Sequence, residues 1–232
     1  MKRRTISKLV ASHPMPTTYV FLDTCAILDV LRLPAKYENR FNMLLKYKDL
    51  LRKANRGEVL LVTSCMTYVE LQSNKKSATQ TEIDWENTLT KNLHYYEGFA
   101  REAGLIAGTE ISVNFDATDL ITYINGMYND LTRKILYLPE KLKYDKFALD
   151  RVANRIPPAM GKTEYKDCFI WNTCMDFAMA VKPEDRVFFF TTNKKDFVIN
   201  PRSPYASQFQ RDANNVDIYL DIVALMQRIE NP

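Results

Sequence analysis

The chain has 232 residues, of which 46% are hydrophobic and 26% are charged, the composition of an ordinary globular protein with a buried core. Its net charge of +4 permits a nucleic-acid partner without requiring one. No segment of the sequence is long and apolar enough to span a bilayer.

The first 17 residues are basic and lack both the apolar core and the cleavage site of a signal peptide, so we expect a flexible arm. The sequence has no CxxC pair and only two histidines, which argues against a zinc site. Free thiols without a signal peptide predict a cytoplasmic location. The cysteines are Cys25, Cys65, Cys168 and Cys174.

Two strand-then-helix units come first in the chain. The run "TYVFLDT" predicts a buried strand that enters a turn at Asp23, and "CAILDVLRL" predicts a short helix ending near Pro34. An amphipathic helix follows, with Gly57 as its C-cap. "EVLLVTS" predicts a second buried strand, with Ser64 as the N-cap of the helix "CMTYVELQSNKK". This order favours an α/β fold with a parallel sheet. The apolar face of the amphipathic helix is marked by Phe41, Leu44, Leu45, Leu50 and Leu51.

From about residue 79 to residue 158 the pattern predicts helices and no strand. Beyond a loop at "IPPAMGK" come a helix over "EYKDCFIWNTCMDFAMAV" and a third strand at "RVFFFTT". "NVDIYLD" supplies a further candidate strand, and "IVALMQRI" a closing helix. We therefore expect one domain over residues 18–232 with a helical insert at about 79–158. The core of that insert is expected to contain Trp85, Tyr95, Tyr96 and Phe99.

Acidic residues follow the predicted strands, and parallel sheets bind ligands at the carboxyl ends of their strands. Asp23 ends the first strand, and Glu70 lies two turns into the helix after the second. The turn "TTNKKDF" after the third strand holds Asn193 and Asp196, and Asp167 lies in the first turn of its helix. Taken singly, Asp167 is most simply explained as a complement to the helix dipole and Glu70 as half of a surface ion pair.

Asp23 is harder to explain in this way, because a strand so apolar does not comfortably end in an unpaired carboxylate near the core. Four acids that converge on one sheet edge would repel each other unless a cation is bound between them. A cluster of hard oxygen ligands suits Mg²⁺ or Mn²⁺, which keep several waters and bind phosphate oxygens.

Four segments, "FLDTCAILDVL", "VTSCMTYVEL", "YKDCFIWNTCMDFA" and "FFFTTNKKDF", resemble the motifs of PIN-domain ribonucleases in the expected order. The long helical middle and "NRIPPAMGKTEYKD" resemble a larger bacterial PIN-like subfamily rather than the compact toxins of toxin–antitoxin pairs. The resemblance implies a three-layer α/β/α fold with a central, mainly parallel sheet.

The resemblance also implies a metal-dependent endoribonuclease that hydrolyses phosphodiester bonds with Mg²⁺ or Mn²⁺. Thr24 would hydrogen-bond near the first acid, and Thr192 and Asn193 would shape the last turn. Some relatives carry an acid at the Asn193 position, so the number of metal ions stays open. The residues that match the family's metal ligands are Asp23, Glu70, Asp167 and Asp196.

Phosphate oxygens require cations beside the acids, and RNA, single-stranded or structured, is the expected substrate. Tyr68 and Tyr165 lie near the motifs and could stack on bases, although packing is the simpler explanation for both. An antitoxin-like inhibitor and a homodimer are left open, and no membrane partner is expected. The candidate substrate-binding cations are Arg155, Lys162, Lys166, Lys194 and Lys195.

Alternatives remain at this stage. One is a catalytically weak PIN-like module that binds nucleic acid or a protein. Another is a structure-specific DNA nuclease, since a metal acts on the phosphate that DNA and RNA share. A haloacid-dehalogenase-type phosphatase would carry an aspartate two residues after Asp23, where this chain has Cys25. The simplest role for the cysteines within the motifs is to pack where strand meets helix.

Overall fold

The computed structural model describes residues 17–36, 40–103, 117–159, 164–197, 211–213 and 215–231, together with residues 6, 11 and 209. The expected N-terminal arm lies largely outside the described residues. Within them, no helix is both long and apolar enough to cross a membrane.

A five-stranded parallel sheet forms the centre of the fold, as the strand-then-helix order predicts. The strand order is β3-β2-β1-β4-β5, so the first strand lies in the middle. The strands are β1 (Thr18–Leu22), β2 (Val59–Ser64), β3 (Leu136–Leu138), β4 (Arg186–Phe190) and β5 (Asp217–Tyr219).

Helices connect the strands and cover both faces of the sheet, giving a three-layer α/β/α architecture. Gly57 has a φ of +73° directly after one of these helices and so ends it as a left-handed C-cap. The helices are α1 (Thr24–Lys36), α2 (Arg40–Arg56), α3 (Cys65–Glu102), α4 (Ala117–Lys134), α5 (Leu142–Asn154), α6 (Tyr165–Ala180), α7 (Lys194–Phe197) and α8 (Ile222–Glu230).

Alternate side chains of β1 divide the core in two. Val20 and Leu22 pack with residues of α1, α2, α4 and α8, whereas Tyr19 and Phe21 pack with residues of α6. Trp171 of α6 is fully buried on that second face, where its ring stacks on Phe209 at 5.0 Å between centroids. Because β1 is buried on both faces, the backbone position after it is also enclosed.

α1 ends at Lys36, close to the predicted end near Pro34. Two other local predictions are wrong. Residues 136–138 form a strand where only helix was predicted. One continuous helix, α3, stands where two helices were predicted, the first from Cys65 and the second from Glu82.

Exposure corrects two further predictions. Leu45 was assigned to the apolar face of α2 but is 41% exposed. Three aromatic residues assigned to the core of the insert are also exposed: Tyr95 at 70%, Tyr96 at 67% and Phe99 at 63%. Their spacing along the helix fits an apolar stripe, yet the outer part of α3 extends beyond the layer that α1, α4 and the sheet can cover.

Candidate active site

The ends of β1 and β4 lie side by side and determine where the first acid sits. Leu22 is paired with Phe190, so Asp23 and Thr191 are the neighbouring residues that follow. The backbone N–H of Asp23 donates to the carbonyl oxygen of Phe190 at 3.0 Å, which extends the strand pairing by one residue. The side chain of Asp23 is only 1% exposed at this edge of the sheet.

Two neutral donors hold the Asp23 carboxylate. The hydroxyl of Thr191 donates to Oδ2 at 2.6 Å, and the backbone N–H of Thr24 donates to Oδ1 at 2.7 Å. Burial raises the pKa of Asp23 to about 6; the hydrogen bond from Thr191 opposes this rise, and the charge of Glu70 adds to it. Among the described residues, the hydrogen bonds to this carboxylate come from neutral groups.

Glu70 reaches the same edge from α3. This helix starts directly after β2, and the hydroxyl of Ser64 caps it by accepting from the Met66 N–H at 3.2 Å. The hydroxyl of Thr24 donates to Oε2 of Glu70 at 2.5 Å and so ties the start of α1 to α3. Nζ of Lys166 lies 3.6 Å from Oε1 of the same carboxylate.

Asp167 lies in the first turn of α6, facing the same group of acids. Burial raises its pKa to about 8, with further contributions from the charges of Asp23, Glu70, Asp196 and Glu164. A helix N-terminus favours a carboxylate, so an upward shift here means that burial and like charges outweigh the helix dipole. The shift also indicates that acids from four separate segments lie near one another.

Asp196 belongs to the turn after β4. The side-chain amide of Asn193 donates to its Oδ2 at 2.7 Å, and the backbone N–H of Asn193 donates to the hydroxyl of Thr191 at 3.0 Å. Thr191 therefore connects the turn to Asp23. The Thr192 carbonyl accepts from the Lys194 N–H at 3.0 Å within the turn. The Thr192 hydroxyl is buried, and no described residue forms a hydrogen bond with it.

The predicted substrate-binding cations are not all brought to the acids. Lys166 contacts Glu70, although its side chain is 51% exposed. Lys194 and Lys195 are exposed on α7, in the same turn as Asp196. Arg155 is exposed at the end of α5 in the left-handed conformation, with a φ of 53°. Lys162 lies outside the described residues.

Two residues were missed by the sequence analysis. Thr191 donates to Asp23, and its position directly after β4, beside the end of β1, was the available signal. Glu164 is the N-cap residue of α6, but its side chain makes no capping hydrogen bond. Its Oε2 is buried and has no hydrogen-bond partner among the described residues, and its charge raises the pKa of Asp167. Its position one turn before Asp167 was the available signal.

The donor set fits a hard divalent cation in type and charge. Its atoms are carboxylate oxygens, and they repel each other in the absence of a cation. The buried, unpartnered Oε2 of Glu164 is consistent with this fit. Among the described residues, however, no group of three or more His, Cys, Asp or Glu is gathered closely enough to hold a metal ion. The carboxylates of Glu70 and Asp196 instead accept hydrogen bonds from Thr24 and Asn193, respectively.

The nearby thiol does not join the donor set. Burial raises the pKa of the Cys25 thiol well above its usual range, and the charges of Asp23, Asp167, Asp29 and Glu70 act in the same direction. Cys25 therefore remains a neutral thiol at neutral pH and is a poor metal ligand. No disulfide joins the four cysteines.

Comparison with protein-family models gives a match. A family model described as "PIN domain" matches residues 20–197, more than three-quarters of the 232 residues, and this range includes Asp23, Glu70, Asp167 and Asp196. No curated protein and no solved structure is significantly similar to the chain.

Proposed function

Because the chain belongs to the PIN-domain family, whose members are generally nucleases that use divalent metals, we propose that it is an Mg²⁺- or Mn²⁺-dependent endoribonuclease. The observation that carries the proposal is geometric: Asp23 is buried at the carboxyl edge of the sheet, and the hydroxyl of the next residue, Thr24, donates to Glu70 of α3 at 2.5 Å, so acids from separate segments meet at one site. The raised pKa of Asp167 agrees with this arrangement. Carboxylates that face each other without enough cations are suited to a divalent ion and to the phosphate it would bind.

Asp23, Glu70, Asp167 and Asp196 would hold the ion. When bound, a divalent cation lowers the pKa of water and stabilises charge on the scissile phosphate and the leaving oxygen. Thr191 and Thr24 orient Asp23 through its two carboxylate oxygens. We assign to Asp196 a second task, accepting a hydrogen bond from the attacking water.

Binding of a cation at Asp167 would also involve the proton of this carboxyl group. With a pKa of about 8, the Asp167 carboxyl group holds its proton at neutral pH in the metal-free protein. Because a metal ligand must be ionised, cation binding would release this proton, so metal affinity should increase with pH.

RNA as the substrate rests on the family resemblance and on the cations near the acids. Lys166, beside Glu70, and the exposed Lys194 and Lys195, beside Asp196, are available to contact phosphates. Arg155 and Lys162 are also candidates for phosphate contacts, but they lie farther along the sequence from the predicted metal ligands, and each requires its own test.

The test is cleavage of labelled single-stranded RNA and of DNA of matched sequence, with Mg²⁺, with Mn²⁺ and with chelator. Asp23→Asn and Asp167→Asn remove charge at little change in volume. Asp176→Asn is the matched control, because Asp176 lies on α6 but pairs with Lys141 at 2.6 Å, away from the acids. We expect metal-dependent RNA cleavage that both site variants abolish and the control retains.

Equal turnover by Asp23→Asn and wild type would refute the assigned site. Cleavage of DNA alone would replace the ribonuclease by a DNA nuclease.

A second candidate is a PIN-like module that binds nucleic acid without cutting it. One observation favours it. Glu70 already accepts a hydrogen bond from Thr24, and Asp196 accepts one from Asn193. Among the described residues, the acids are not gathered closely enough to hold a metal ion. RNA binding in the presence of metal, without cleavage of any substrate by correctly folded protein, would select this alternative.

A further inference from the structure

A cavity of about 380 Å³ lies between α3, α4 and β3, beside the candidate active site. Its volume is within the range of small-ligand sites. Three tyrosines, two cations, two amide side chains and one hydroxyl line it, and none of its described lining residues is acidic. The lining consists of Tyr68, Leu71, Gln72, Lys75, Tyr128, Asn129, Thr132, Arg133, Ile135 and Tyr137.

The cavity adjoins the carboxyl edge of the sheet. Tyr68, Leu71 and Lys75 are spaced along one face of α3, which starts at this edge directly after β2. Glu70, which accepts a hydrogen bond from Thr24, lies about 150° around the same helix, so the cavity and this acid are on opposite sides of α3. On the other side of the cavity, Tyr137 of β3 is paired with Thr63 of β2. Since β2 is adjacent to β1, this side lies two strand spacings, about 10 Å, from the strand that ends at Asp23.

Buried side chains, two of them aromatic, form the floor of the cavity, and one aromatic ring at its rim is accessible. Tyr128 and Tyr137 are each 4% exposed, and Leu71 is 2% exposed. Tyr68 stands edge-on against Tyr137 at 5.8 Å between ring centroids and yet remains 39% exposed. Burial raises the pKa of Tyr137 to about 12, so its hydroxyl keeps its proton at neutral pH.

The polar groups at the rim complement a nucleotide. Nζ of Lys75 lies 4.9 Å from the centre of the Tyr128 ring, which holds the ammonium group at the cavity. Arg133 is exposed at 78% and contacts Asp130 at 3.5 Å, a weak pair that leaves the guanidinium accessible. The amides of Gln72 and Asn129 are exposed and carry both donors and acceptors, as the edge of a base requires.

We propose that this cavity binds one unpaired nucleotide of the RNA substrate, across α3 from the scissile phosphate, with its base against Tyr68 and its phosphate at Lys75 and Arg133. This inference rests on the proposed ribonuclease function and adds a determinant of base preference to it. An aromatic surface, two cations and two amides without a carboxylate match the base and phosphate of a nucleotide together.

The experiment measures binding separately from cleavage. Fluorescence anisotropy with labelled single-stranded RNA in chelator would use Asp23→Asn protein as the background, so that the RNA stays intact. Tyr68→Ala and Lys75→Gln are the test variants. Their matched controls are Tyr95→Ala and Lys91→Gln, which change the same residue types at exposed positions of the same helix. Thermal melts check that every variant is folded.

We expect each test variant to bind RNA about tenfold more weakly, with no change in either control. In the active protein, Tyr68→Ala should also alter the base preferred at one position relative to the cut. RNA binding that is undetectable, or equal in test and control variants, would overturn the proposal.

The two proposals fail differently. If the cavity variants weaken RNA binding but the wild type cleaves no RNA with any metal, the ribonuclease is wrong and the nucleotide cavity stands. If cleavage depends on Asp23 while the cavity variants bind and cut as the controls do, only the cavity assignment is wrong.

Discussion

Replacing Asp167 by asparagine should stabilise the metal-free protein while abolishing cleavage. The pKa of this group is about 8 in the folded chain against 3.8 for an ordinary aspartate. A group with a raised folded-state pKa contributes no penalty below pH 4, and its unfavourable effect grows as the pH rises to about 8. An asparagine at this position has no charge to bury or to repel Asp23 and Glu70, so it removes that penalty.

The magnitude follows from the size of the shift. Each pKa unit corresponds to about 1.4 kcal/mol, so the whole rise would amount to about 6 kcal/mol as an upper limit. Part of it is released by rearrangement of neighbouring acids, and the asparagine amide itself needs hydrogen-bond partners. We therefore expect a gain of about 1–3 kcal/mol at pH 8, or roughly 3–10 °C in melting temperature for a chain of this size.

The assay is thermal denaturation in chelator at pH 5 and pH 8. Asp176→Asn is the matched control on the same helix and should have the opposite sign. Burial alone would raise the pKa of Asp176, but hydrogen bonds from Lys141, Lys143 and Tyr144 lower it to about 2. That variant should lose about 1–3 kcal/mol at neutral pH. An Asp167→Asn protein that is destabilised, or whose gain is the same at both pH values, would refute the electrostatic reasoning.

Three more predictions concern the site and its support. Millimolar Mn²⁺ should raise the melting temperature of the wild type at pH 8, but raise that of Asp23→Asn much less, because a ligand stabilises only the state that binds it; equal shifts in calorimetry would contradict the assigned ligands. Thr191→Val should lower kcat at least tenfold, with a melting temperature within a few degrees of wild type, since it removes the donor to Asp23; Thr192→Val is its control, and equal kcat values would contradict the assignment. Arg151→Ala should lower the free energy of unfolding in urea by about 2–4 kcal/mol, because Arg151 is hydrogen-bonded to Asn172, the Pro157 carbonyl and Asp212. The control Arg155→Ala, at an exposed position, should lower it by less than about 0.5 kcal/mol, and similar losses in both variants would contradict the role of this network.

The sequence predicted the central part of the fold well because its signals are local. β1, β2 and β4 are apolar runs that end in polar turns, and Ser64 and Gly57 carry cap chemistry that the structure confirms. The acids were located by the rule that parallel strands end at one edge of the sheet. That rule gives the edge of the sheet but not the side-chain contacts, and so the Thr191 donor to Asp23 was not predicted.

Other features depend on distant partners. β3 is three residues long, and only its pairing with β2 distinguishes "LYL" from the end of a helix. Arg151 pairs with Asp212, 61 residues away, and no local pattern indicates such a pair. The cavity across α3 from Glu70 likewise joins residues of α3 with residues of α4 and β3, whose packing the sequence does not reveal.

The central position of β1 has a consequence for the order in which the protein is made. Asp23 is synthesised about 170 residues before the Thr191 hydroxyl and the Phe190 carbonyl that hold it. A nascent or truncated chain that lacks β4 has neither this support nor Asp196. The catalytic apparatus proposed here can therefore assemble only when translation of the domain is nearly complete, so unfinished chains would not cut the messenger RNA from which they are being translated.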